Sequence, residues 1–225
     1  VETVKEFAVV SDVEERMLKS PEAPIVVLAK KRAFHLAEQV APNMKTIGVM
    51  LPYSPLHHLL LKEADGRTLV MTSANVSGLP IAYKNEECRQ SIGEIADFYL
   101  MHNRDILHPV DDSVVQIVKG TTDFFRKSRG YVPDALFSKN NVDGIVAFGG
   151  QQKTTFTLGR NQQVFIGPHI GDLDNVNTTE HYQHELQHLL KWIDPKQQIA
   201  VIDYHPNYQT RQLVKEFSFQ EVMEV

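Results

Sequence analysis

Short apolar runs, each four to six residues long, recur from one end of the chain to the other. Ile25–Ala29, Ile47–Leu51, Val114–Val118, Ile145–Phe148 and Ile199–Tyr204 are such runs. Runs of this length read as strands, because a helix of the same apolar content needs ten residues or more. Strands are also expected at Phe7–Val10, Thr68–Met71, Asp97–His102, Phe124–Ser128, Phe156–Gly159 and Val164–Gly167. Helix signals lie between them. Ser11-Asp12 offers an N-cap, with Glu14 and Glu15 in the first turn and a stop at Ser20-Pro21. Ser54-Pro55 opens a second helix with Leu56, Leu59 and Leu60 on one face. Asn85–Ala96 has Cys88, Ile92 and Ile95 on its inward face. A long helix is expected over Thr178–Trp192, with Asn177 as cap and Glu180 three residues on, and Pro206 starts a final one. Interleaved strands and helices make this an α/β chain.

The 225 residues suffice for one large domain or two smaller ones, and 42% hydrophobic content supplies a core. The polar, patternless stretch Ser138–Asp143 is the expected boundary, giving domains 1–138 and 139–225. A net charge of −5 argues against bulk attraction to nucleic acid. The single cysteine, Cys88, allows no internal disulfide and points to a reducing cytoplasm. No apolar run approaches the roughly 20 residues of a membrane span, and no signal peptide is expected. The chain starts at Val1 and ends at Glu224-Val225 straight after an apolar stretch, so a piece of a longer protein is expected.

Several segments carry chemistry. Thr72–Gly78 (Thr-Ser-Ala-Asn-Val-Ser-Gly) is a small polar loop after an expected strand, where α/β proteins hold anions, although such clusters also make plain turns. Asp111-Asp112-Ser113 precedes a strand and reads as a turn, a general base or a metal site. Arg126, Lys127 and Arg129 form the densest positive cluster of the first half and suit either phosphate or a solvated edge strand. Gly149-Gly150 followed by Lys153, Thr154 and Thr155 lies between two expected strands. Walker A requires a helix there, yet a hairpin turn can still cradle phosphate with amides, a lysine and hydroxyls. His184-Glu185-Leu186-Gln187-His188 matches H-E-x-x-H, with His205 or Glu216 as a third zinc ligand. Ten histidines make a chance match plausible, and Leu186, Leu189, Leu190 and Ile193 make a competing apolar face. The adjacent pair His57-His58 points about 100° apart on its helix and does not share a metal.

Taken together the motifs resemble the HypF-type carbamoyltransferases of [NiFe]-hydrogenase maturation. The resemblance rests on Gly48–Pro52, Pro55–Leu60, Val70–Gly78, His102–Ile106, Asp111–Val115 and Arg126–Pro133. It continues through Gly149-Gly150, Lys153, Thr155-Phe156, His169–Leu173 and Asp203–Pro206, in collinear order over nearly the whole chain. It implies a YrdC-like twisted open mixed sheet with helices up to about Phe137. From about Val142 it implies part of a TsaD-like lobe of the actin/hexokinase (ribonuclease H-like) type. The implied activity forms carbamoyl adenylate from carbamoyl phosphate and ATP, with magnesium, and passes the carbamoyl group to the C-terminal cysteine of the partner HypE. The implied nucleotide-binding residues are Ser73, Asn75, Ser77, Ser113, Arg126 and Arg129, with Gly149, Gly150, Lys153, Thr154, Thr155, His169 and Asp172. No catalytic residue and no metal ligand is assigned. Zinc or iron would enter only through family segments outside this chain: cysteine-rich fingers upstream and a histidine-rich motif just past Val225. The family's acylphosphatase domain and the first half of the YrdC-like sheet would also precede Val1, so the chain alone is expected to be inactive. Two positions depart from the pattern: Thr154 stands where asparagine is usual, and Arg126-Lys127 replaces a double arginine. Two other functions compete, a double-stranded-RNA or nucleotide-binding module using Arg126, Lys127 and Arg129, and a zinc metallopeptidase using His184, Glu185 and His188.

Overall fold

A computed structural model describes residues 1–32, 35–196 and 198–225. The chain forms two compact units. One comprises Val1–Thr72 with Asp112–Tyr131, the other Ser73–Asp111 with Val132–Val225.

The first unit begins with helix α1 (Glu2–Phe7), which places Val4 and Phe7 one turn apart on the buried side. Strand β1 (Ala8–Val9) is therefore shorter than the strand expected over Phe7–Val10. Helix α2 (Asp12–Leu18) starts as its residues dictate. Ser11 accepts from the amide of Glu14, and Glu14 returns its carboxylate to the amide of Ser11 at 2.8 Å. Strand β2 (Ile25–Lys30) is the centre of the sheet. Its C-terminal end pairs antiparallel with β1 and its N-terminal end pairs parallel with β4 (Val114–Val118). Strand β3 (Thr46–Val49) runs antiparallel to β2, with Val26 opposite Val49. Strand β5 (Thr121–Arg126) closes the hairpin with β4 through Gly120. The alternation along β2 sends Val26 and Leu28 into a core with Phe7, Leu18, Ile47 and Val115. Each such side chain contributes roughly 1.5–3 kcal/mol of transfer free energy.

Helix α3 (Pro55–Glu63) forms where Ser54 and Pro55 predict it, with the Ser54 hydroxyl accepting from the amide of His57 at 3.2 Å. Its leucine face is not buried as expected. Leu56, Leu59 and Leu60 are 47%, 60% and 42% exposed. A cap and a proline fix where a helix starts, but periodicity does not by itself supply a partner surface. His57 and Leu60 instead border a cavity of about 380 Å³ that Phe7, Ile47 and Leu51 also line.

The second unit carries α4 (Asn85–Ile92), shorter than the helix expected to Ala96. Cys88 is half-buried and donates its thiol to the Ala82 carbonyl at 3.0 Å, while Ile95, expected inward, is exposed. A sheet follows, made from β6 (Ala135–Phe137), β7 (Ile145–Ala147), β8 (Thr157–Arg160), β9 (Gln163–Ile166), β10 (Ile199–Ile202) and β11 (Glu221–Glu224). Its order is β11-β10-β7-β8-β9-β6. The β11, β10 and β7 neighbours are parallel and the rest are antiparallel. Among the described residues, Thr68–Met71 and Asp97–His102 join neither sheet. A four- to six-residue apolar run becomes a strand only where a ladder partner meets it.

Helix α5 (Val176–Ile193) spans the stretch expected as the long helix, but Asn175 caps it in place of Asn177. The Asn175 side-chain oxygen takes both the amide and the hydroxyl of Thr178, at 2.9 and 3.1 Å, and that pair of bonds fixes the start. Tyr182, Leu186, Leu189 and Leu190 form the helix face buried against Val146, Phe148, Phe156, Leu158 and Ala200. The Tyr182 hydroxyl donates to the Phe148 carbonyl at 2.8 Å, and burial pushes its pKa well above the ordinary tyrosine value. Tyr182→Phe should cost about 1–2 kcal/mol in urea denaturation, because one buried acceptor loses its donor while the ring packing is kept. Helix α6 (Thr210–Leu213) follows Pro206 and buries Leu213 in the same core. Among the described residues no helix is long and apolar enough to cross a membrane.

Candidate functional site

The nucleotide-binding residues expected from the sequence divide between the two units. Ser113, Arg126 and Arg129 belong to the first and the others to the second.

In the first unit Arg129 is a clamp. Its Nε and Nη2 donate to one oxygen of Asp112 at 2.9 and 2.8 Å. Nη1 reaches the Glu22 carbonyl at 3.0 Å and Nη2 the Ala23 carbonyl at 2.8 Å. The guanidinium also stacks 3.8 Å over the Tyr53 ring, adding a cation–π contact. The next residue must be glycine: Gly130 sits at φ +84°, and a Cβ there would stand 2.8 Å from Glu22 atoms. Ser113 is fully buried. Its hydroxyl donates to the Arg129 carbonyl at 2.9 Å and accepts from the Ser128 amide at 2.8 Å. Arg129 thus holds the segment 112–131 onto the loop before β2, and the Ser113 side chain ties the two ends of that segment together. Arg126 closes β5 opposite Val114, and Lys127 lies 6.0 Å over the Phe124 ring.

In the second unit the loop Ser73–Gly78, which Thr72 of the first unit leads into, is built around Asn75. Ser73 donates its hydroxyl to the Asn75 side-chain oxygen, and the Asn75 amide reaches the Val76 and Leu79 carbonyls at 3.2 and 2.9 Å. Gly78 turns the chain at φ +81°, and its carbonyl accepts from Nδ2 of Asn175 at 3.0 Å. Ser77 is exposed. The cap residue of α5 therefore also tethers this loop.

Nearby in sequence to that cap lies the turn after β7. Gly149 has φ +72°, and a Cβ on it would stand 2.3 Å from the Thr155 carbonyl oxygen. A Cβ on Gly150 would meet only Tyr208, at an ordinary contact distance of 3.8 Å. Among the described residues no hydrogen-bond acceptor meets the amides of Gly149 and Gly150. Lys153 also has positive φ, and its amide donates to Asp172 Oδ1 at 2.6 Å. Thr154 bridges to Gly171, and Gln151 Nε2 reaches the Leu173 carbonyl at 2.7 Å. The turn is thus rigidly backed by 170–173. The Thr155 hydroxyl is directed inward, to the Gly167 and Pro168 carbonyls at 2.7 and 3.0 Å, and Thr154 is buried. His169 is half-buried and Asp172 exposed. Two adjacent glycines with unengaged amides and an exposed lysine fit a phosphate group by chemistry and space.

The H-E-x-x-H stretch folds differently from a zinc peptidase. The group that converges is His108, His184 and Glu185, whose ligating atoms lie within 4.8 Å of one another. His188 meets His108 instead, Nε2 to Nε2 at 3.0 Å. Burial holds His188 and His181 below the ordinary histidine pKa. His108 lies 76 positions before His184, and no spacing rule joins them. Gln151 and Asn175, which tie the turn and the loop to the fold, were equally invisible as ordinary polar residues.

Two family models match the chain. Sua5/YciO/YrdC, described as telomere recombination, covers residues 1–128, and the HypF Kae1-like domain covers residues 140–225. Carbamoyltransferase HypF of Synechocystis sp. is 39% identical over 203 residues, 90% of this chain and 26% of that protein. Carbamoyltransferase HypF of Rhizobium leguminosarum bv. viciae is 35% identical over 93% of this chain and 28% of its own length. A crystal structure of full-length HypF in the phosphate- and nucleotide-bound form superposes with a TM-score of 0.93. It shares 39% identity and is matched over 100% of this chain and 35% of that one. T. kodakarensis HypF gives 0.92 at 36% identity, over 98% of this chain and 30% of that one. The chain thus spans about a third or less of the relatives it matches. With a mixed α/β sheet in each unit and both family models in their expected order, it belongs to the HypF family, in the stretch that passes from the YrdC-like into the Kae1-like region.

Proposed function

We propose that this chain is part of a carbamoyltransferase that makes carbamoyl adenylate from carbamoyl phosphate and ATP. The carbamoyl group then passes to the C-terminal cysteine of HypE in [NiFe]-hydrogenase maturation. The observation that carries the reading is identity of 33–39% to HypF carbamoyltransferases across at least 90% of the chain. The nucleotide-bound form of a solved relative supports ATP as the ligand.

Carbamoyl phosphate must first lose its phosphate to water, leaving carbamate, whose oxygen then bonds to the α-phosphate of ATP and expels pyrophosphate. That second step builds charge on the α-phosphate and on departing pyrophosphate, so the protein's contribution to it is chiefly electrostatic. In the second unit the amides of Gly149 and Gly150 and the ammonium of Lys153 hold nucleotide phosphates, with magnesium accompanying the ATP. Thr154, Thr155, His169 and Asp172 shape that turn. In the loop Ser73–Gly78, Ser73 and Asn75 hold the loop's shape and the exposed Ser77 hydroxyl is a donor for a nucleotide. For a phosphate, Arg126 of the first unit supplies a cation. Ser113 and Arg129 hold the backbone that presents it.

Calorimetry of magnesium ATP with the 225-residue chain should detect binding that Lys153→Ala weakens roughly tenfold, the loss of one charge-assisted contact. Equal affinity in the variant would remove Lys153 from the site. The chain as sole enzyme should not carbamoylate HypE, since the matched relatives are three to four times longer. Mass spectrometry showing a carbamoylated HypE cysteine would overturn that.

A further inference from the structure

Histidines and a buried carboxylate meet where residues Ser73–Asp111 of the second unit touch α5. Glu185 Oε1 lies 3.3 Å from His108 Nδ1 and 3.2 Å from His184 Nδ1. The Glu185 side chain is only 4% exposed. A carboxylate so placed needs hydrogen-bond donors or a cation, and its ion-pairing partners among the described residues are these two imidazoles. We propose that His108, His184 and Glu185 bind one divalent cation of the zinc class, and that His188 positions His108.

One choice of ring tautomers fits this assignment. A metal on Nδ1 of His108 leaves the ring proton on Nε2. That proton donates to Nε2 of His188 at 3.0 Å, and the contact then fixes the ring as outer partners of metal-bound histidines do. Two imidazole nitrogens and one carboxylate oxygen favour zinc, cobalt or nickel over magnesium and calcium, which take oxygen. His184 and Glu185 are adjacent on α5, but the ring and the carboxylate turn toward each other, so their ligating atoms converge. The His184 side chain is 57% exposed, which leaves a path for the ion and room for solvent as a further ligand. Glu185 is a ligand here, not a general base, which sets the site apart from a peptidase centre. Its role is a staple: it fastens His108, and with it the weakly packed chain before β4, to the long helix.

The test uses the untagged, chelator-treated 225-residue chain. Cobalt(II) titration should give one visible d–d absorption per chain, with no thiolate charge-transfer band, and zinc should displace it. Zinc should raise the melting temperature by several degrees. His184→Ala, at an exposed position that leaves the core intact, should weaken cobalt binding by at least about 100-fold, and His108→Ala should do the same. His188→Ala should weaken it by about 10- to 100-fold. His205→Ala should leave it unchanged. Absence of stoichiometric cobalt binding, or binding that survives His108→Ala in a folded protein, would overturn the proposal. The cluster would then be a metal-free hydrogen-bonded relay.

Discussion

Replacing Arg129 with alanine is expected to lower the unfolding free energy by about 3 kcal/mol, the largest single effect foreseen in the first unit. The side chain makes four hydrogen bonds and one stacking contact, and it is mostly shielded from water. Its loss strands Asp112 without its cation and leaves the Glu22 and Ala23 carbonyls without donors. Hydrogen bonds to charged groups are each worth about 1.5–3 kcal/mol, and the sum is discounted because solvent relaxes into the gap. Arg129→Lys should recover little, since one ammonium cannot reach a carboxylate and two carbonyls in that fork geometry. Urea denaturation followed by circular dichroism decides it. A lysine variant as stable as the parent would mean that charge, not the fork, holds the segment.

Gly149→Ala is the counterpart in the second unit, with an expected cost of about 3 kcal/mol. Roughly 1 kcal/mol comes from placing a side chain at φ +72°. The rest comes from a methyl group that would stand 2.3 Å from a backbone oxygen, which only a shift of the turn relieves. That shift moves the amides proposed to face phosphate, so ATP affinity should fall by at least tenfold beyond the loss of folded protein. Gly150→Ala is the control. With no contact at its Cβ position tighter than Tyr208 at 3.8 Å, it should change stability by less than about 1 kcal/mol. Equal losses from the two substitutions would deny the turn its assigned geometry.

Local rules read parts of this fold well. Ser11 with Glu14, Ser54 with Pro55 and the apolar run Ile25–Ala29 each carry their own stabilisation, through a cap or a hydrophobic ladder, and each formed where its residues require. The Gly149-Gly150 turn was legible for the same reason, because strain and openness are properties of a few adjacent residues. Long-range partners were not. Thr68–Met71 has the composition of a strand but meets no ladder, and the leucines of α3 have periodicity without a surface to cover. Arg126 and Arg129 look alike in sequence. Only the carbonyls of Glu22 and Ala23, a hundred positions away, make the second one a clamp. His108 is the extreme case, since its chemistry depends wholly on a helix that starts 68 positions later.

The parallel pairing of β2 with β4 has a consequence for the order in which the chain is made. Ile25 is set opposite Val114, so closing that pair joins points about ninety residues apart. Until synthesis has passed Val115, the partners of β2 among the described residues are its antiparallel neighbours β1 and β3, and Val26 lacks the Val115 side chain that joins it in the core. The edge of β2 opposite β3 is therefore filled only at its β1 end while the nascent chain grows through 73–111, a stretch that belongs to the other unit.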